Sequence, residues 1–182
     1  MPSTLILSVM GPDRPGLVEA LSRTLADNGA NWVESRMTCL GNQFAGMLLI
    51  TVPFEKVVAL EHDLGDLRSQ GLRVNVDTVG KPAQDAPPAR TIRLELMGQD
   101  RPGIVREVAG ALVAAGVSIE ELETRCENAP WSSDRIFRAR AVLSAPVALD
   151  VDALMARFDA IANAQLVEIT LHEVTSARPR GR

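Results

Sequence analysis

The chain has 182 residues, a formal net charge of -4 and only 3% aromatic residues. The acidic balance argues against a nucleic-acid partner, because such proteins carry basic surfaces that neutralise phosphates. No apolar run reaches the roughly 20 residues that a membrane-spanning helix needs. The two cysteines and the lack of a recognisable targeting segment predict a protein of the reducing cytoplasm.

The first predicted element is a strand, because apolar residues alternate with less apolar ones over residues 5–9. The segment Gly-Pro-Asp-Arg-Pro-Gly follows at residues 11–16. Beyond it, leucines recur every four residues over 17–25, which is the spacing of one helix face. We expect Gly29 to end this helix in the left-handed conformation.

Two strands are predicted next, at residues 31–40 and 43–52, with Gly-Asn between them as a hairpin signal. A second helix is predicted at about 54–69. Alternation between apolar and polar residues predicts a last strand near 72–79. The first half of the chain therefore follows the order β-α-β-β-α-β, which is the ferredoxin-like arrangement.

The second half repeats the first. Residues 98–103 match residues 11–16 at an offset of 87, and 10 of the 29 positions over 11–39 are identical at that offset without a gap. The remaining elements of this copy are predicted near 117–127, 135–145, 150–164 and 166–174. Its hairpin connection is six residues longer, around Trp131, and we leave open whether this insertion at 128–135 docks a partner.

The duplication predicts an α+β chain of two domains, each a four-stranded antiparallel sheet with two helices on one face. We place the domains at residues 1–79 and 90–175, a proline-rich linker at 80–89 and a disordered basic tail at 176–182. Small cores and open sheet edges favour a homodimer or a higher oligomer.

The turn at residues 11–16 carries the most functional information. Asp13 stands where a helix N-cap is expected, and Pro15 then falls in the first helical turn. Gly16 is unexpected there, since a glycine inside a helix costs up to ~1 kcal/mol relative to alanine. Two explanations stay open: close packing against a neighbouring element, or a small anionic ligand lying on bare backbone at the helix N-terminus.

This turn, the apolar helix and the Asn31-Trp32 pair that opens the next strand together resemble the ACT domain, a small amino-acid-binding regulatory module. Two copies, with Glu-Ser-Arg at 34–36 and Leu-Gly-x-x-Phe at 40–44, resemble members of this family that repress transcription. The resemblance implies that the chain senses glycine or a similar amino acid. It also implies a LysR-type transcription activator as partner, with no direct contact to DNA.

In the ACT family, amino acids bind between neighbouring domains, at the strand-to-helix turn and at the residue that opens the second strand. The resemblance therefore implies these ligand-binding residues: Gly11, Asp13, Arg14, Pro15, Gly16 and Asn31 in the first copy, and Gly98, Asp100, Gly103 and Ser118 in the second. Ser118 replaces the asparagine, which favours the first copy as the ligand-binding one. Gly11 and Gly98 stand where some members have a polar side chain.

Enzymatic function is not expected, and neither a cofactor nor a metal is predicted. His62 and His172 have no metal-ligand spacing. Cys39 and Cys126 match no Cys-x-x-Cys pattern and are predicted as semi-buried strand residues, with redox sensing as the alternative. The turn also resembles the regulatory end of formyltetrahydrofolate deformylases, whose catalytic domain has no counterpart here. Control of a metabolic enzyme in trans and a ligand-free interaction scaffold remain alternatives to transcriptional repression.

Overall fold

The structure is a computed structural model that describes residues 1–79, 89–128 and 134–173. Two compact units divide the chain, Met1–Gln84 and Asp85–Arg182. Most of the predicted linker, the predicted tail and the centre of the insertion, including Trp131, lie outside the described residues. Ala89, assigned to the linker from sequence, is already the first residue of a strand.

The first unit contains β1 (Pro2–Pro12), α1 (Leu17–Asp27), β2 (Asn31–Leu40), β3 (Gln43–Pro53), α2 (Val57–Asp66) and β4 (Arg73–Thr78). Short 3-10 segments flank α2, at Phe54–Lys56 and Leu67–Gln70. The strands form one antiparallel sheet in the order β2-β3-β1-β4. Because β1 lies between β3 and β4, the turn that follows it leaves the middle of the sheet.

The second unit contains β5 (Ala89–Gln99), α3 (Ile104–Ala114), β6 (Ser118–Asn128), β7 (Arg135–Pro146), α4 (Val151–Gln165) and β8 (Val167–Glu173). Its antiparallel sheet has the matching order β6-β7-β5-β8. The predicted fold of two ferredoxin-like βαββαβ units is confirmed. Among the described residues, no helix is both long and apolar enough to cross a membrane.

Each unit has its own core, built mainly from aliphatic side chains. In the first unit Leu5, Leu7 and Val9 of β1 are buried together with Leu21 and Leu25 of α1. The alternation in the strand and the four-residue spacing in the helix thus place both apolar faces against each other. Gly29 has a φ of 66° after the end of α1, as expected from the sequence.

The edge strands β2 and β6 are largely exposed, and every residue of β6 is solvent-accessible. Cys39 and Cys126 lie on these strands and are both exposed. The prediction of semi-buried cysteines was therefore wrong. An edge strand has only one neighbouring strand, so its side chains receive less cover than those of the central strands.

Candidate functional site

The strand-to-helix turn has the same backbone geometry in both units. Gly16 has a φ of 93° and Gly103 a φ of 103°, and each is the N-cap of the following helix. Neither helix receives a side-chain cap. The backbone N–H of Asp13 instead donates to the oxygen of Asn42 in the β2–β3 hairpin, at 2.9 Å.

These observations correct the local prediction for the turn. Asp13 is not the N-cap, and Pro15 lies before the helix rather than in its first turn, because α1 begins at Leu17. Gly16 is required for its left-handed backbone, which an L-amino acid adopts only at a cost. In the part of the chain that the structure describes, no heavy atom lies within 4 Å of where a Cβ of Gly16 would be, so close packing does not explain this glycine.

Close packing does explain the two glycines that precede the turns. A Cβ on Gly11 would lie 2.6 Å from the backbone oxygen of Gly71, and one on Gly98 would lie 2.5 Å from that of Leu166. Both distances are too short for any side chain. We therefore assign Gly11 and Gly98 to the packing of the first strand against the segment that enters the last strand.

A groove of about 270 Å³ opens beside the turn of the first unit, between α1 and the 3-10 segment that ends at Gln70. It is lined by Arg14, Pro15, Gly16, Glu19, Ala20, Arg23, Thr24, Leu67 and Gln70. The Arg14 guanidinium donates to the backbone oxygen of Gln70, and Arg23 forms an ion pair with Glu19 one helical turn away. The groove thus presents positive and negative groups around an exposed glycine backbone.

Three of the predicted site residues, Arg14, Pro15 and Gly16, line this groove. Sequence reasoning missed Glu19, Arg23 and Gln70, although Glu19 and Arg23 lie one turn apart on the predicted helix. Gln70 had no signal in the sequence, because it reaches the groove only through the packing of α2 against α1.

Asp13 is not among the residues that line the groove. Its carboxylate lies beside Cys39, and although that residue is exposed, partial desolvation of the thiol and a hydrogen bond to Asp13 raise the pKa of Cys39. A raised thiol pKa lowers the thiolate population, which disfavours redox sensing by this cysteine. In the second unit the Asp100 carboxylate lies 3.6 Å from the Arg135 guanidinium instead. Arg101 donates to the side chain of Gln99.

Asn31 lies at the other end of the sheet from the turn. It pairs with Thr51, which pairs with Thr4 near the beginning of β1, whereas Gly11 is near the end of that strand. Seven residues at roughly 3.3 Å each separate the two ends by about 23 Å. Ser118 begins β6 in the corresponding place. Within one unit, a small ligand therefore cannot contact both the turn and the residue that opens the second strand.

Three side chains of types that can ligate a metal lie close together on the exposed surface of α2. His62, Asp63 and Asp66 each place one ligand atom within 4.8 Å of the others. Asp63 also accepts a hydrogen bond from the buried Asn28 amide at 2.8 Å, which lowers the pKa of this carboxyl. The contact explains the orientation of Asp63 without a metal, and we assign no metal site here. His172 lies in β8, paired with Arg93.

Comparison with known proteins identifies the family. Residues 3–77 match the family model of the ACT domain, and the second unit repeats the same strand order. The first unit is therefore an ACT domain, and the second unit has the same fold. The glycine cleavage system transcriptional repressor of Escherichia coli is 23% identical over 150 residues, which cover 82% of this chain and 77% of that protein.

Two solved structures are similar to this chain over both of its units. An unknown protein from Galdieria sulphuraria is 29% identical, with a TM-score of 0.81 over 96% of this chain and 100% of that chain. A chain described as a candidate glycine cleavage system transcriptional repressor is 20% identical, with a TM-score of 0.68 over 97% of this chain and 99% of the other. At 20% identity, the similarity to this second structure shows only that the fold is shared.

Proposed function

We propose that this chain is an amino-acid-sensing regulator whose ligand binds in the groove of the first unit. The observation that carries the proposal is the combination of charges in that groove. A free amino acid has a carboxylate and an ammonium group, which complement arginine and glutamate respectively. Arg14 and Arg23 supply the cations and Glu19 the anion, beside exposed backbone at a helix N-terminus.

The regulated process that we propose is glycine cleavage, with glycine or a similar amino acid as the signal. Similarity to the Escherichia coli repressor over 82% of the chain supports this choice. We propose that control is exerted through a LysR-type transcription activator rather than by contact with DNA. The net charge of -4 supports a protein partner over the phosphate backbone.

We further propose that Asn31 acts on the ligand of a neighbouring ACT unit rather than on that of its own. Support comes from the sheet register, which separates Asn31 from the turn of its own unit. The edge strand β2 has an open side on which a second copy of the chain could pair antiparallel. Such pairing would bring Asn31, at the beginning of β2 in one copy, close to the strand-to-helix turn of the other copy.

A thermal-shift panel of the twenty amino acids tests the sensing proposal. A specific ligand at one hundred times its dissociation constant adds about 2.7 kcal/mol of stability. Arg14→Ala should abolish that shift, while Arg101→Ala, the matched change in the second unit, should leave it intact. A flat panel, or equal losses in both variants, would contradict the proposed function.

The partner is tested separately by affinity capture with the wild-type chain and identification of the bound proteins. Recovery of a LysR-type activator whose retention changes with the amino acid supports transcriptional control. Recovery of a metabolic enzyme without any transcription factor would replace this proposal by control of that enzyme in trans.

A further inference from the structure

The two units differ at the place beside the glycine turn. In the second unit, the Glu107 carboxylate lies over the turn, with Oε1 3.9 Å from the position of a Cβ on Gly103. The same oxygen accepts a hydrogen bond from Nε2 of Gln165 at 2.7 Å. The chain thus places one of its own carboxylates beside the N-terminus of α3, where the helix dipole favours negative charge.

Ala20 occupies the position of Glu107 in the first unit. The backbone N–H of Ala20 donates to the oxygen of Gly16 at 2.9 Å, and that of Glu107 donates to the oxygen of Gly103 at 3.0 Å. Both residues therefore stand at the same point of the first helical turn. A methyl group replaces the carboxylate in the first unit, and the groove of about 270 Å³ lies there.

Gln70 occupies the position of Gln165. Each glutamine directly precedes a left-handed residue, Gly71 with a φ of 80° and Leu166 with a φ of 55°. The last strand of each unit follows. The first unit therefore keeps the glutamine that binds a carboxylate in the second unit, but it does not supply the carboxylate.

We propose that the groove of the first unit binds the carboxylate of a small ligand at the place that the Glu107 carboxylate holds in the second unit. Gln70 is the amide donor, and Arg14 and Arg23 add positive charge. The second unit is occupied by its own glutamate and does not respond to the ligand. That the ligand is an amino acid rests on the proposed function; that it carries a carboxylate rests on the comparison of the two units.

The charges that differ between the units specify the ligand class. Arg23 has Gly110 as its counterpart, so only the first groove has this second arginine. Glu19 has Arg106 as its counterpart, so the first groove also has an anion where the second unit has a cation. An anion at this edge attracts an ammonium group and repels a second carboxylate. The groove therefore favours an α-amino monocarboxylic acid over a dicarboxylic acid.

The test grafts the internal carboxylate into the first unit. Ala20→Glu should place a carboxylate within reach of Gln70 and fill the groove. Titration calorimetry should then show at least a tenfold loss of affinity for the amino acid that most stabilises the wild-type chain. Ser22→Glu adds the same charge to an exposed position of the same helix and should leave affinity unchanged, while circular dichroism verifies that both variants fold.

Three further titrations separate the possible failures, using acetate, glycinamide and the Glu107→Ala variant. Glycinamide lacks the carboxylate and should bind at least tenfold more weakly than glycine, and Glu107→Ala should retain the site of the first unit. An amino acid that binds Ala20→Glu as well as the wild type would overturn this inference and the placement of the ligand in this groove, but not the proposal that the chain senses an amino acid. If the wild type binds acetate but no amino acid, and Ala20→Glu removes the acetate binding, the carboxylate site stands and the sensing proposal is overturned. No binding of either probe to the wild type would overturn both.

Discussion

Substitution of Gly103 by alanine isolates the cost of the left-handed turn. The residue has a φ of 103° and a ψ of -15°, and among the described residues a Cβ there would meet only the Glu107 carboxylate oxygen, at an ordinary distance of 3.9 Å. Steric overlap therefore contributes little, and the change measures backbone strain alone. We expect a loss of about 1–2 kcal/mol, the cost of left-handed backbone for an L-residue. For a unit of this size, that lowers the melting temperature by roughly 4–8 °C per kcal/mol.

Gly110 provides a matched control in the same helix. It lies within α3, and no heavy atom of the described chain lies within 4 Å of its Cβ position. Alanine there should stabilise by about 0.5–1 kcal/mol, because glycine in a helix interior loses more backbone entropy on folding. The same substitution thus has opposite signs at two positions seven residues apart. Urea unfolding followed by circular dichroism measures both variants.

The explanation of the turn would be refuted if Gly103→Ala were as stable as the wild type or more stable. Destabilisation by Gly110→Ala would also count against it, because the control would then report an effect of added bulk. Gly16→Ala should reproduce the loss in the first unit, since its φ of 93° is similar.

Three other substitutions test individual contacts within the two units. Asn28 is 4% exposed and its amide holds Asp63, so Asn28→Ala should cost about 1–2 kcal/mol in urea unfolding at neutral pH. The folded pKa of Asp63 lies below its ordinary value of 3.8. The stability contributed by the Asn28–Asp63 hydrogen bond is therefore present above pH 3.8 and disappears as the pH falls through the folded pKa. On acidification, Asn28→Ala should lose less stability than the wild type. Gly11→Ala would force a Cβ to within 2.6 Å of the Gly71 oxygen and should cost about 1–3 kcal/mol, whereas a melting temperature equal to the wild type would show that the two segments separate easily. The Asp150 carboxylate accepts the backbone N–H of Ala153, the third residue of α4, and Asp150→Ala should cost about 1 kcal/mol, with unchanged stability excluding it as the cap.

Most of the fold could be predicted from the sequence because its signals are local. Alternation over residues 5–9 and the four-residue spacing over 17–25 each identify one buried face, and the structure places those faces together. The hairpin at 41–42 and Gly29 were equally local. The duplication then doubled every signal, since each element had a second occurrence at a similar offset.

The turn was harder to predict because the same residues fit two local structures. Asp13 stands three residues before Gly16, which is the spacing expected between a capping side chain and the N–H group that it binds. The helix nevertheless begins later, at Leu17, and Gly16 is itself the N-cap. In the structure the backbone N–H of Asp13 is bonded instead to the oxygen of Asn42 in the β2–β3 hairpin. That bond joins segments far apart in the chain, and no local pattern encodes it.

The groove depends on contacts that are still more distant in sequence. Glu107 and Gln165 are 58 residues apart, and their hydrogen bond distinguishes the second unit from the first. When the two halves are aligned at the offset of 87, Ala20 opposite Glu107 is one of many non-identical pairs. Its meaning is visible only when the packing of α4 brings the glutamine amide to the turn.

The central claim is that an amino acid binds beside the glycine turn of the first unit. The most direct measurement is amide chemical-shift mapping of the isotope-labelled chain during titration with glycine and with the amino acid that most raises the melting temperature. We predict saturable shifts at residues 14–24 and 67–70, with one ligand per chain and little change at 101–111. Shifts concentrated at 101–111, or none that saturate, would contradict the account.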